Sequence, residues 1–193
     1  SVLIPHVSLK MEDPTFWIQK IENPTHVLLI PEEIQRMNAE NLKREDLLLC
    51  RPKDLKEEWT REEILSLLKE DWEGFARTEE FRYGRYGHSL EEPFWTKLKN
   101  NLNRESLKER NRALFGLIVK RTDIRTFPTE ELSMSTPANY EFDRFQHSSL
   151  SPGSPIGIYL FSRDKLWAYV QTPFIRGWVR IADLAVAKER SEI

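Results

Sequence analysis

The stretch from Pro155 to Ala182, PIGIYLFSRDKLWAYVQTPFIRGWVRIA, most constrains what this chain can fold into. It reads as three short strands, at 156–161, 166–171 and 175–181. A tight Ser162-Arg163-Asp164-Lys165 turn joins the first two, and Thr172-Pro173-Phe174 joins the last two. Trp167, Tyr169 and Gln171 fall on one face of the middle strand and Leu166, Ala168 and Val170 on the other, the alternation of a half-buried strand. Gly177 beside Trp178 lets the backbone bend and gives a large ring room to pack. Short strands with tight turns predict a small, partly open β-barrel.

The chain has 193 residues, enough for one domain or two small ones with a real core. Its net charge is −2, with acids and bases interspersed, so no basic stripe marks a nucleic-acid surface. A single cysteine excludes an internal disulfide. No apolar run approaches the roughly 18 residues of a membrane span. The opening SVLIPHVSLK lacks the charged start and long apolar run of a signal peptide.

Ahead of the barrel, residues 1–30 read as an extended, proline-punctuated arm, with Phe16 and Trp17 as anchors that need apolar surface from the helices or the barrel. Pro31 opens a helix with Glu32 and Glu33 in its first turn, where acids suit the helix dipole. Leu47-Leu48-Leu49-Cys50 is a buried strand or a loop anchor. Thr60 and Glu63 make a capping box, after which Ile64, Leu67, Leu68 and Phe75 share a face. The Arg-Tyr-Gly repeat around Tyr83 and Tyr86 forms a loop between domains. A further helix starts near Glu92, with Phe94, Leu98 and Leu102 four apart, and RESLKERNR follows as a charged connector. The predicted domains are therefore 1–111, helical and irregular, and 112–193, the barrel. The fold class is α+β. Leu114 to Val119 supplies the first barrel strand, and a loop of some thirty residues follows, far longer than usual and so a functional candidate. The polar tail, AKERSEI, is helix-prone and reads as the start of a connection to a further segment.

RTDIRTFPT, then DRFQ, then PGSPIGIYLFSRDKLWAYVQTPFIRGWV resembles the first bacterial SH3-like (SH3b1-type) domain of periplasmic NlpC/P60 cell-wall peptidases. DPTFWIQKIENPTHVLLIPEEIQRMN resembles the N-terminal clip region that precedes it in those proteins. The resemblance implies a cell-wall endopeptidase that cuts stem peptides beside a D-glutamyl residue, with a cysteine nucleophile and a histidine base. It implies location in the periplasm or cell envelope and, as partners, peptidoglycan stem peptides or a downstream catalytic domain. It implies no cofactor. The family's Asp-Cys-Ser-Gly nucleophile motif does not occur here. Cys50 follows leucines and precedes Arg51-Pro52, without a helix N-terminus to activate it. His6, His26, His88 and His147 fall at neither a metal-binding nor a dyad spacing.

The chain thus reads as a non-catalytic, substrate-positioning portion of such a hydrolase, and not as an enzyme by itself. The alternative is a free-standing SH3-like adaptor in the envelope, although the Ala-Leu-Tyr-Asp-Tyr opening of proline-binding SH3 domains is missing. A third reading, a peptidase using Cys50, meets the wrong context. Arg121, Asp123 and Arg125 alternate along one extended segment and so share a face. Two accounts of that face stay open. In one, it forms an internal ion-pair set with Glu141 and Asp143 that pins the long loop. In the other, implied by the resemblance, the loop walls a peptide site: Glu141 or Asp143 pairs with a free peptide amine while Tyr140 packs on its alanine side chain. Trp167 and Tyr169 join this candidate set if their rings are exposed, whereas Trp178 is expected in the core.

Overall fold

The computed structural model describes residues 5–44, 49–76, 80–137 and 141–192. It divides into two compact units, Ser1–Lys43 and Arg44–Ile193. In the first unit, a 3-10 turn over Leu9–Glu12 leads into α1 (Pro14–Ile18) and, after an irregular stretch, α2 (Pro31–Asn41). The arm is thus more helical than its prolines suggest. Pro14 sits at the first helical turn, where no amide is needed, and Asp13 caps it by accepting from the Thr15 amide at 2.8 Å. Pro31 opens α2 in the same way, and the Glu33 carboxylate accepts from the Ile30 amide at 2.9 Å. Phe16 and Trp17 meet edge to face at 5.1 Å, and the Trp17 indole donates to the Met11 carbonyl at 2.8 Å. No described side chain of this unit is fully buried, and Trp17 is 51% exposed.

The second unit holds a two-stranded ribbon, β1 (Glu58–Thr60) with β2 (Arg110–Arg112), and a seven-stranded antiparallel sheet. The ribbon was not anticipated: the charged RESLKERNR segment hides β2 and the buried Leu107. The large sheet comprises β3 (Leu114–Ile118), β4 (Thr122–Arg125), β5 (Gln146–Leu150), β6 (Pro155–Phe161), β7 (Trp167–Gln171), β8 (Arg176–Arg180) and β9 (Leu184–Val186). Its order is β5-β4-β8-β7-β6-β3-β9, so β5 and β9 are the edges. The three strands expected in 155–182 are β6, β7 and β8, in antiparallel register, with Tyr169 opposite Trp178.

One face of the sheet curls over an aliphatic core in which Ile118, Ile124, Leu150, Ile156, Val170 and Val179 meet. These side chains come from six different strands, so they meet only in a curled sheet. The opposite face carries Phe115, Trp167, Tyr169 and Trp178, and it is covered by α3 (Arg61–Phe75) and α4 (Glu92–Asn101) through Ile64, Leu68, Trp95 and Leu98. The half-buried reading of the middle strand is therefore corrected: Trp167, Ala168, Tyr169 and Val170 of β7 are all buried, because helices cover the face left to solvent in the sequence reading. The sequence reading drew its boundary near Asn111, whereas in the structure α3 and α4 share a single core with the barrel and the division between compact units falls after Lys43.

Local chemistry explains these elements. Thr60 and Glu63 close a full capping box on α3. Gly177 is required, because a Cβ there would lie 2.6 Å from the Arg125 carbonyl oxygen, where β4 meets β8. The same holds for Gly116, where a Cβ would lie 2.3 Å from the Ala185 carbonyl oxygen on β9. The long loop between β4 and β5 is anchored from inside by Phe127, Met134 and Phe145, all fully buried. Its Met134 exchanges two backbone hydrogen bonds with Tyr83 of the Arg-Tyr-Gly loop, at 2.9 and 3.0 Å.

Candidate functional site

Arg121, Asp123 and Arg125 alternate with the buried Thr122 and Ile124, and the register shift between Ile124 and Arg125 places its extra residue, His147, on β5. Arg121 and Asp123 are exposed, while Arg125 is covered by the long loop and only 5% exposed. Arg121 donates to the Ser149 hydroxyl at 3.1 Å, and the Asp123 carboxylate accepts from the Gln146 amide at 2.9 Å, so both tie β4 to the edge strand β5.

Arg125 and Asp143 form a buried ion pair at 2.9 Å. The Arg125 guanidinium also donates to the Glu131 carbonyl at 2.7 Å. Asp143 Oδ1 accepts from the amides of Ser133 and Phe145 at 3.0 and 2.9 Å. The long loop is thereby tied to the barrel. The pairing is chiefly electrostatic, since Asp143 Oδ2 and Arg125 Nε are buried without a hydrogen-bond partner among the described residues. Glu141 is exposed beside this cluster, and Tyr140 lies outside the described residues.

Trp167 is buried except for an edge, with the Arg180 guanidinium 5.8 Å from its ring centre. Arg121, Asp123, Arg125 and Trp167 converge on a small cleft of about 270 Å³, closed on its far side by Arg180 and Glu130, which pair with each other. Tyr169 does not belong to this cleft. It is fully buried on the helix-covered face, and its hydroxyl donates to Asp71.

That contact belongs to a polar cluster missing from the sequence reading. Asp71 of α3 also accepts from Arg176 Nη2 and Nε at 2.7 and 3.3 Å, and Glu70 accepts from the same guanidinium at 3.3 Å. Burial works against the Arg176 charge, yet the Asp71 contacts prevail and hold it above the ordinary arginine value. Burial, then the Asp71 charge, pushes the Tyr169 hydroxyl well up. A signal was present: Asp71 falls on the apolar stripe of Ile64 and Leu68, where an acid needs a buried partner. His147 packs beside this cluster, edge-on to Phe75 at 4.6 Å, and its burial lowers its pKa.

Cys50 has none of the marks of a nucleophile. Its burial, reinforced by the Asp54 charge, raises the thiol pKa, and its Sγ lies 3.4 Å from the Thr172 carbonyl, to which it donates. The run before it is only partly visible, since Leu47 and Leu48 lie outside the described residues. Among the described residues no cluster of His, Cys, Asp and Glu is arranged to hold a metal ion, and no helix is long and apolar enough to cross a membrane.

Residues 134–180 match the SH3 domain family of SH3b1 type. The fold is similar to that of a solved NlpC/P60 endopeptidase from Photobacterium damselae subsp. piscicida, with a TM-score of 0.62 and 21% sequence identity over 85% of this chain. The chain spans 38% of the length of that protein. No curated protein matches the sequence. The chain therefore carries an SH3 domain of SH3b1 type within an α+β fold.

Proposed function

We propose that this chain is the non-catalytic, substrate-positioning portion of a peptidoglycan stem-peptide hydrolase of NlpC/P60 type, acting in the bacterial periplasm or cell envelope. The observation that carries this reading is the SH3b1-type match over residues 134–180, set in a fold like that of an NlpC/P60 endopeptidase. The raised thiol pKa of Cys50 and the missing Asp-Cys-Ser-Gly motif support a role other than catalysis for these residues. The partners are stem peptides or a separate NlpC/P60 catalytic domain.

Within this reading, the β4 end of the barrel and the long loop face the peptide. Asp123 and Glu141 are exposed carboxylates suited to a peptide ammonium, and Arg121 suits a carboxylate. Asp143 acts from beneath, by fixing the loop through Arg125. The test is co-sedimentation of the chain with purified peptidoglycan, together with cleavage assays on a free stem peptide. Retention on the wall material, weakened by Asp123→Asn and Glu141→Gln, is expected, with no cleavage. Failure to bind, or cleavage that disappears with Cys50→Ala, would overturn the reading.

A further inference from the structure

Between β2 and β6 the fold leaves an open wedge of about 490 Å³. The last pair joining β3 to β6 is Leu114 with Ile158, and beyond it the two strands part. The chain ahead of β3 belongs to the β1–β2 ribbon, while β6 runs on through Tyr159 to Phe161. Leu107, Tyr159 and Leu160 supply the buried part of the lining. Two asparagines fix its walls. Asn103 donates to the Phe161 carbonyl at 3.0 Å, and Asn111 braces the turn into β2, accepting from the Lys108 amide at 3.0 Å and donating to the Lys108 carbonyl at 2.7 Å. The wedge is therefore built before any ligand arrives, which lowers the ordering cost of binding.

Its β2 wall offers both backbone and charge. The Arg61 amide donates to the Glu109 carbonyl at 3.2 Å, and the Ala113 amide to the Glu57 carbonyl at 2.7 Å. Alternate residues of an antiparallel ladder turn their backbone groups to opposite sides, so Arg110 and Arg112 direct theirs away from β1, to the edge that borders the wedge. No second strand pairs with that edge among the described residues. The side chains of Arg110 and Arg112, two positions apart, lie on one face of β2 at a spacing of about 6.8 Å. Lys108 adds a third cation, and no carboxylate lines the wedge. None of the three has an ionic partner among the described residues. Glu58, opposite Arg112 across the ribbon, makes no ion pair with it, and Glu57 is committed to Arg190 at 2.9 Å.

We propose that this wedge binds an extended acidic peptide, which adds to β2 as a strand and sets carboxylates at every second position against Arg110 and Arg112. An added strand repeats its side chains at the same two-residue period, and a guanidinium fork matches a carboxylate. Three unpaired cations without a lining carboxylate select against a basic chain, and the open backbone edge favours a peptide over a bare anion. The wedge shares no lining residue with the β4 cleft and stands whether or not the wall-hydrolase reading does.

The test maps amide resonances of the full chain during titration with acetyl-Glu-Val-Glu-Val-Glu-amide, its lysine counterpart acetyl-Lys-Val-Lys-Val-Lys-amide, the fully N-methylated acidic peptide and inorganic phosphate. The acidic peptide should shift Arg110, Arg112 and residues 159–161, and bind about tenfold more tightly than the basic one. N-methylation keeps the charges but removes the backbone donors, and should weaken the acidic peptide at least tenfold. The double substitution Arg110→Glu, Arg112→Glu should reverse the charge preference, with an unchanged melting curve as the check on folding. The comparisons on the unaltered chain need no variant. Equal binding of the acidic and basic peptides, or shifts confined to other surfaces, would overturn the proposal. So would full affinity of the N-methylated peptide, or the same shifts from phosphate at the same concentration, since either reduces the wedge to an anion site.

Discussion

Asp71 sends its carboxylate from α3 into contact with Tyr169 and Arg176, and that contact fixes how the helix sits on the sheet. Removing one member of a buried charged set strands the others, so Asp71→Asn should cost about 3–5 kcal/mol in denaturant unfolding. Loss within the range of an exposed substitution would show that water relieves the cluster. His147 supplies a pH dependence. Burial lowers its folded pKa below the ordinary 6.5, so the unfolded chain binds its proton more readily. The His147 contribution is complete above pH 6.5 and is lost as pH falls from there through the folded pKa. His147→Gln should flatten that part of the curve of melting temperature against pH; an unaltered slope would assign it to other groups. Trp178 is the residue whose place the sequence made plainest. A tryptophan beside a glycine on a closing strand has few options but the core, and its ring is fully buried against Tyr169, 5.1 Å between centres. Arg125 was less legible, since alternation alone does not announce that the long loop folds over it and pairs it with Asp143.

Elements divide in the same way. The α3 start was readable because a capping box is a local signal, and Thr60→Ala should destabilise the protein by about 1 kcal/mol, measured by thermal melting. A larger loss would mean that Thr60 also holds the β1–β2 ribbon. Strand β9 was not readable: LAV is three residues long, lies beside a charged tail, and gains its pairing only from β3. Close approach at Gly116 makes that pairing sensitive, and Gly116→Ala should lower stability by about 1–3 kcal/mol. Rapid amide exchange through Ala185 and Val186 should accompany it, and retained protection there would show that the backbones separate at little cost. The sequence reading placed β6, β7 and β8 within a residue at most ends, because turns of fixed chemistry bound them on each side.

At the scale of the whole chain, the described buried core of the second unit runs from Leu55 onward, with Cys50 packed against it. The α+β class was legible because helical and strand periodicities occupy separate stretches. The helical cover on the sheet was not, because β7 alternates as if one face met water. That two-sided burial also has a kinetic consequence. A strand enclosed between an aliphatic interior and an aromatic, helix-covered exterior cannot open without breaking both at once. The amides of Ala168 and Val170 should exchange with solvent deuterium only when the entire domain unfolds, whereas those of the edge strand β5 exchange through local opening. The slowest amides of β7 then serve as a built-in gauge of global stability, readable without any denaturant.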